Sequence, residues 1–257
     1  MKSILKNPAI SEQVAKEIDI GTKFVHPNIM KIYRCFFTQK HYHLILEYCP
    51  RGTLEKFIKE VKPNEETAIK LFKGICNGYK FMHDNGIIHF DMKPLNILVS
   101  EENGELVPKI CDFGYSQQIY EIGVSQYQTD INVGTPYFES PQILAKQDHS
   151  YKSDIYSLGA IFYELLFHNH VFNGGNLIKF TTNVLKGDLK MDTTTISKES
   201  ADMIVHCLHI DEEGRFSLQE MMAHSIFTKE YKNLTKFKFP QKEQDFSIHS
   251  LTVSDDE

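Results

Sequence analysis

A chain of 257 residues can bury one large core or build two lobes that share an interface, and 41% hydrophobic against 24% charged residues is the balance of an ordinary soluble globular protein. The net charge of −6 leaves no basic excess to hold nucleic acid or an anionic membrane surface. The five cysteines, Cys35, Cys49, Cys76, Cys111 and Cys207, are odd in number, scattered and without a C-x-x-C pair, which argues against a disulfide framework or a zinc site and predicts a reducing compartment, cytoplasmic or nuclear.

MKSIL (1–5) reads as a strand, and its neighbourhood lacks the apolar core of a signal peptide. Ser11 offers an N-cap to the helix that follows, with Glu12 in its first turn and Val14 and Ile18 on one face. HPNI (26–29) breaks that helix. MKIYRCFFT (30–38) and YHLILEYC (42–49), rich in β-branched and aromatic residues, predict a pair of strands that ends at Pro50, Arg51 and Gly52. The pattern then turns helical. Asn64 caps a segment with Glu65 and Glu66 at the positive end of its dipole, and Ala68, Phe72, Ile75, Tyr79 and Met82 make one buried stripe. NILVS and LVPKI, joined through Asn103-Gly104, predict a hairpin. A loop without clear period runs from Gly114 to about Gln142. SDIYSLGAIFYELL (153–166) is apolar nearly all round and predicts a central buried helix, too short to span a bilayer. More helical pattern reaches about Phe227, and the polar tail ending SDDE predicts disorder. A small strand-rich part, 1–49, thus precedes a larger helical part, 50–228, and a tail, 229–257.

IIHFDMKPLNILV (87–99) packs His89, Asp91, Lys93 and Asn96 into a short polar cluster between apolar pairs. Its bland explanation is a turn between two buried strands, fixed by Pro94. The hairpin suggests more, because it can bring Asn96, at its start, to Asp112, which follows its second strand. Two oxygen ligands with room for waters and phosphate suit Mg²⁺. Asp91 can accept or orient the proton of an attacking hydroxyl, and Lys93 can neutralise charge on a transferring phosphoryl group.

HFDMKPLN resembles the catalytic loop of the eukaryotic protein kinases, usually HRDLKPEN, and CDFG resembles their metal-binding DFG. The ordered set HPNI, LILEYCPRGTL, HFDMKPLNILV, KICDFG, GTPYFESPQIL, KSDIYSLGAIFYELL and DEEGRFS extends the resemblance over roughly residues 1–228. It implies an α+β, protein-kinase-like two-lobe fold, with a small β-rich N-lobe lacking its first two strands and a larger helical C-lobe. It also implies transfer of the γ-phosphoryl group of ATP, with Mg²⁺, to serine or threonine hydroxyls of protein substrates. By the same resemblance Asp91 is the catalytic base, Lys93 the lysine beside it, and Asn96 and Asp112 the metal ligands. Glu17 is the glutamate of the helix that the family calls αC, and Lys2 the strand lysine that pairs with it and holds the phosphates. Leu46 is the gatekeeper behind the adenine, Glu47 and Cys49 offer it backbone bonds, and Leu98 packs beneath it. Asp154 is the buried acid that holds the catalytic loop, though a plain N-cap explains it too. Lys93 and Thr135 favour serine/threonine over tyrosine substrates. Cys111 reads as a small core residue rather than a reactive thiol.

The departures from the family pattern carry their own expectations. No glycine-rich loop precedes Lys2, so the resemblance leaves two expectations, that Met1 is internal to a longer kinase, which is favoured, or that the protein lacks the roof over the nucleotide. Phe90 replaces the arginine that commonly clamps a phosphorylated loop, so activity should not depend on phosphate at Ser116, Ser125, Tyr127 or Thr129. Gly21 stands where relatives stack a large apolar residue between Phe113 and Ile32, which implies a looser helix that an activating partner or an upstream segment would fix. Gln142 replaces the glutamate that pairs with the position of Arg215, implying an uncompensated buried charge unless another acid reaches it. Thr53 and Leu95 lack the carboxylates of relatives that prefer arginine upstream of the target. A pseudokinase acting as a binding or scaffold protein and a small-molecule phosphotransferase of the same fold are the competing readings.

Overall fold

A computed structural model of the chain describes residues 1–118 and 136–228. The first part is an antiparallel sheet of three strands, β1 (Lys2–Leu5), β2 (Ile32–Phe37) and β3 (His41–Leu46), in the order β1-β3-β2, with Lys2 opposite Leu44 and Phe37 opposite Tyr42. Both predicted strands of the 30–49 stretch form. Helix α1 (Ser11–Lys23) lies against β2.

Ser11 does not cap α1. A 3-10 turn over Pro8–Ile10 precedes it, capped by Asn7, whose side chain accepts from the Ala9 N–H (3.0 Å); the Ser11 hydroxyl donates to the Asn7 carbonyl (2.8 Å). Asn7-Pro8 is the stronger start because proline presets φ and gives up an N–H that a helix end leaves unpaired anyway. The buried face of α1 also differs from the expected one. It comprises Val14, Glu17, Ile20 and Gly21, with Ile18 only half-buried, because Glu17 turns inward to Lys2.

Gly21 leaves no gap in the packing. An ideal Cβ at this position would overlap Ile32 Cδ1 and lie 2.7 Å from Ile32 Cγ1, so the isoleucine fills the space that the larger side chain would have taken. The helix runs through Gly21 unbroken, and the expected loosening of α1 is replaced by close approach of helix and strand. We expect Gly21→Ala to lower stability by about 1–3 kcal/mol through overpacking, although alanine is the better helix former by about 1 kcal/mol. The double substitution Gly21→Ala/Ile32→Ala should recover part of the loss, both read by urea denaturation.

Helix α2 (Leu54–Val61) opens the helical part, followed by α3 (Glu65–Asp84), which is capped by Asn64 accepting from the Thr67 N–H (3.0 Å). The predicted stripe of α3, from Ala68 to Met82, is fully buried. After the short strand β4 (Ile87–Ile88) comes the expected hairpin of β5 (Ile97–Glu102) and β6 (Glu105–Ile110), with Ile97 opposite Ile110. Its turn places Asn103 and Gly104 at φ +52° and +79°, conformations that asparagine and glycine tolerate. Strand β7 (Gln117–Gln118) pairs with β4, and α4 (Pro141–Leu144) precedes α5 (Lys152–Phe167), which is buried on nearly every side and stacks Phe162 on Phe72 of α3 at 4.2 Å. Helices α6 (Leu177–Lys186), α7 (Lys198–Cys207), α8 (Leu218–Ala223) and α9 (Ser225–Thr228) complete the described chain. The expected disordered tail, 229–257, lies outside the described residues.

Two seams hold the hairpin in place. On one side the Met30 N–H donates to the Ile110 carbonyl and the Ile110 N–H to that of Asn28, both at 2.9 Å; on the other the Val99 N–H donates to the Gly52 carbonyl at 2.8 Å. The strand-rich part and the connector at 49–53 therefore grip the same hairpin.

Arg215 is buried, but its charge is not abandoned. Its guanidinium donates to the carbonyls of His209, Ile210 and Lys152 at 2.9–3.0 Å and to Gln142 Oε1 at 2.9 Å, with the Glu212 carboxylate 3.9 Å away. Four oxygens and a nearby acid thus offset much of the expected penalty of losing the family's glutamate. Gln142 also donates to the Ile210 carbonyl (2.7 Å), which a glutamate could not do. Gln142→Ala should cost about 1–3 kcal/mol, measured by chemical denaturation.

Candidate active site

The loop that follows β4 is held from beneath by Asp154, in the first turn of α5. Asp154 accepts from the His89 N–H (2.8 Å) and the Phe90 N–H (3.0 Å). It does not cap its own helix, whose N-cap is Tyr151 without a side-chain bond. Burial pushes its carboxyl up to about 7, against the stabilising pull of those two amides and of Tyr79. Phe90 sits at φ +59°, left-handed backbone that costs about 1–2 kcal/mol for a residue with a Cβ, so the two Asp154 bonds also pay for strain. Its half-buried ring meets the edge of His149 at 5.8 Å and needs no anion.

His89 is fully buried, and its bonds specify its tautomer. The Asp91 N–H donates to Nδ1 (3.2 Å), so Nε2 carries the proton and donates to the Cys111 carbonyl (3.3 Å). Burial holds its pKa below the usual histidine value, so the ring is a neutral brace between the loop and the residues after β6.

The polar cluster converges on Asp91. Lys93 Nζ lies 2.7 Å from one carboxylate oxygen and Asn96 Nδ2 2.7 Å from the other, while the same Nδ2 donates to the Asp91 carbonyl at 2.9 Å. The 3-10 turn Pro94–Asn96 folds Asn96 back to make these bonds. With both bonds of its amide nitrogen spent, the Asn96 side chain has its oxygen left to offer. The Cys111 N–H donates to the Asn96 carbonyl (2.9 Å), which sets Asp112 next to the loop. Asp112 has φ +64°, and no described residue donates to its carboxylate. An amide oxygen and a carboxylate, both hard, suit Mg²⁺ with water and phosphate in the remaining positions.

Across this cluster, Lys2 of β1 makes bonds of 2.8 and 2.9 Å to the two oxygens of Glu17, whose side chain is nearly buried. The Cys111 thiol, 9% exposed, is pushed far up by burial, with the charge of Asp112 adding to the shift. Such a thiol is unreactive, as expected of a core residue. Leu46 ends β3 half-buried, the Cys49 thiol is raised to about 11 by burial, and Leu98 bridges to Thr53 across the connector. The Glu47 N–H is occupied by the Lys31 carbonyl (2.9 Å), which leaves the Glu47 carbonyl for a ligand.

Ser116 is 1% exposed and is therefore not an accessible phosphorylation site. Ser125, Tyr127, Thr129 and Thr135 lie outside the described residues. Two participants were not evident from sequence. Lys109 of β6, 4% exposed, clamps Glu47 and Glu102, each at 2.8 Å; a lysine within the mostly apolar run LVPKI was the available clue. Glu139 is the other, an acid among aromatic residues and proline whose carboxyl feels Asp91 and Lys93.

A family model described as the protein kinase domain matches residues 1–227. The chain is 30% identical over 223 residues to the serine/threonine-protein kinase atg1 of Dictyostelium discoideum, covering 85% of this chain and 33% of that protein. It is 32% identical to calcium-dependent protein kinase 5 of Plasmodium berghei, over 90% of this chain and 42% of that protein. It is 32% identical to the serine/threonine-protein kinase Nek8 of Danio rerio, over 81% and 30%. The chain thus spans between about a third and two-fifths of the length of these relatives. With the domain match running through the loop of Asp91, the hairpin and the buried helix of Asp154, the chain belongs to the protein kinase domain family.

Proposed function

We propose that the chain is a protein kinase that transfers the γ-phosphoryl group of ATP, with Mg²⁺, to serine or threonine hydroxyls of proteins. The observation that carries this reading is the Asp91 carboxylate, aimed by Lys93 and Asn96 on a loop that Asp154 and His89 make rigid. A binding-only scaffold has no use for that arrangement.

Asp91 orients the acceptor hydroxyl and takes up its proton. Lys93, already 2.7 Å from Asp91, offsets negative charge at the transfer site. Asn96 and Asp112 would hold Mg²⁺ by oxygen, and Lys2, kept in place by Glu17, would hold the phosphates. Leu46, Leu98 and the backbone of Glu47 and Cys49 would take the adenine. The bound nucleotide and metal supply the phosphoryl group and the neutralisation of its charge.

The test is to incubate the purified chain with Mg²⁺-ATP and a generic protein substrate, with Asp91→Ala as the control. Phosphoserine or phosphothreonine should form with the native chain alone. ATP binding without transfer under any condition would leave the scaffold reading in its place. Lys2→Met should weaken nucleotide binding by about tenfold, read by fluorescence titration, since an ion-paired lysine on phosphate is worth a strong charge-assisted bond.

A further inference from the structure

The small sheet carries a histidine pair that the transfer site does not use. His41 and His43 stand two residues apart on β3, so they share one face of the strand. Their ring centres lie 5.7 Å apart at a tilt of 38°. Paired residues of neighbouring strands share a face as well. Lys2 and Leu44 lie on the face that meets Glu17, and Ser3 and His43, one position along, lie on the other.

His43 is held from both sides. Ser3 lies opposite it on β1, with Oγ 2.9 Å from His43 Nδ1. Phe36 lies opposite it on β2 and stacks on its ring at 4.8 Å and 19°. With the Ser3 hydroxyl accepting the Nδ1 proton, the Nε2 lone pair is left for a ligand. Metal-binding histidines are held in this way, the second nitrogen bonded to a fixed oxygen that sets tautomer and ring plane. The hydrogen bonds of His41 are made by its backbone, so its ring nitrogens have no hydrogen-bond partner among the described residues. Two imidazoles on one ion, each nitrogen about 2.0–2.1 Å from it, hold their ring centres roughly 4.5–6 Å apart, and the observed 5.7 Å falls inside that span.

We propose that His41 and His43 bind a borderline divalent transition ion, of the Zn²⁺ or Cu²⁺ class, with Ser3 orienting His43. Imidazole nitrogen suits these ions, whereas Mg²⁺ takes oxygen, so the pair differs in chemistry from Asn96 and Asp112. No third metal-binding side chain joins the pair among the described residues, so water or an added donor completes the coordination and the site is an open one. Ser3 adjoins Lys2, so an ion here stiffens the strand that carries Lys2, from the face opposite Glu17.

The experiment titrates Zn²⁺ into the native chain against a chromophoric chelator, with Mg²⁺ in excess to occupy oxygen sites. Nitrogen–proton correlation spectra of the imidazole rings locate the ion. Binding should saturate at one ion per chain, and the ring signals of His41 and His43 should shift first among the 12 histidines. His41→Ala and His43→Ala should each weaken this site by about a hundredfold, and Ser3→Ala by about tenfold, the size of an outer-shell contribution. Both histidines are half-buried on the sheet surface, so these variants should fold, and thermal unfolding without metal checks that they do. Zn²⁺ should raise the unfolding midpoint of the native chain and not that of His41→Ala. Zn²⁺ affinity unchanged in both histidine variants, first shifts at other histidines of the native chain, or displacement by Mg²⁺ overturns the proposal and leaves the pair as surface side chains that pack on Phe36. Native affinity in Ser3→Ala strikes Ser3 from the site.

Discussion

Asp91→Asn should reduce phosphorylation by about a thousandfold while leaving the fold intact, because it removes the one group placed to accept the hydroxyl proton and keeps its size. The loop should stay in place, since its backbone is held by Asp154 and His89 rather than by the Asp91 side chain. The asparagine can still accept from Asn96 or Lys93 but is not basic. Single-turnover phosphorylation measures the loss, and an unchanged midpoint of thermal unfolding shows that it is chemical. Activity within tenfold of the native chain would remove Asp91 from the proposed role.

Asp154→Ala should instead act on stability. It strips the partner from the buried N–H groups of His89 and Phe90 and from Tyr79, and it frees Phe90 from the bonds that hold it at φ +59°. Unpaired buried donors cost about 1–3 kcal/mol each, so a loss of roughly 2–4 kcal/mol is expected after relaxation, together with loss of transfer. Asp154→Asn keeps one acceptor oxygen and should lose less. The pH dependence has a definite sign. The folded state holds the Asp154 proton up to about pH 7, the unfolded chain only to about 3.8, so between those values this group's contribution to stability falls as pH rises. His89, kept neutral by burial, acts oppositely, its contribution being lost as pH falls through the ordinary histidine range. The difference between the native chain and Asp154→Asn across pH 4–7, by urea denaturation, isolates the first effect; no difference in slope would contradict it.

Much of the architecture was legible along the chain because its causes are local. Asn64 caps α3, Asn103-Gly104 turns the hairpin, and apolar spacing marks the stripes of α3 and α5. The order of the motifs further placed Asp91, Lys93, Asn96 and Asp112 in one neighbourhood. The errors came where a short-range signal met a competitor. Ser11 became the first residue of α1 rather than its cap, because a 3-10 turn capped by Asn7 leads into the helix, and Ile18 lost the buried face to Glu17, whose partner Lys2 lies on another element.

By itself, then, the sequence determined the family, the order of elements and the residue types of the polar cluster around Asp91, since each follows from neighbours a few positions apart. Only the tertiary structure decided which interactions complete those sites. Ile32 fills the space beside Gly21, three backbone carbonyls and Gln142 share the charge of Arg215, and Asp154 reaches back 65 residues to hold the loop. Glu139, unremarkable as a letter, becomes an acid with one oxygen that no described residue meets only once folding seals that oxygen from water. Burial and the meeting of distant residues set these energies, and neither is a property of a local stretch of chain.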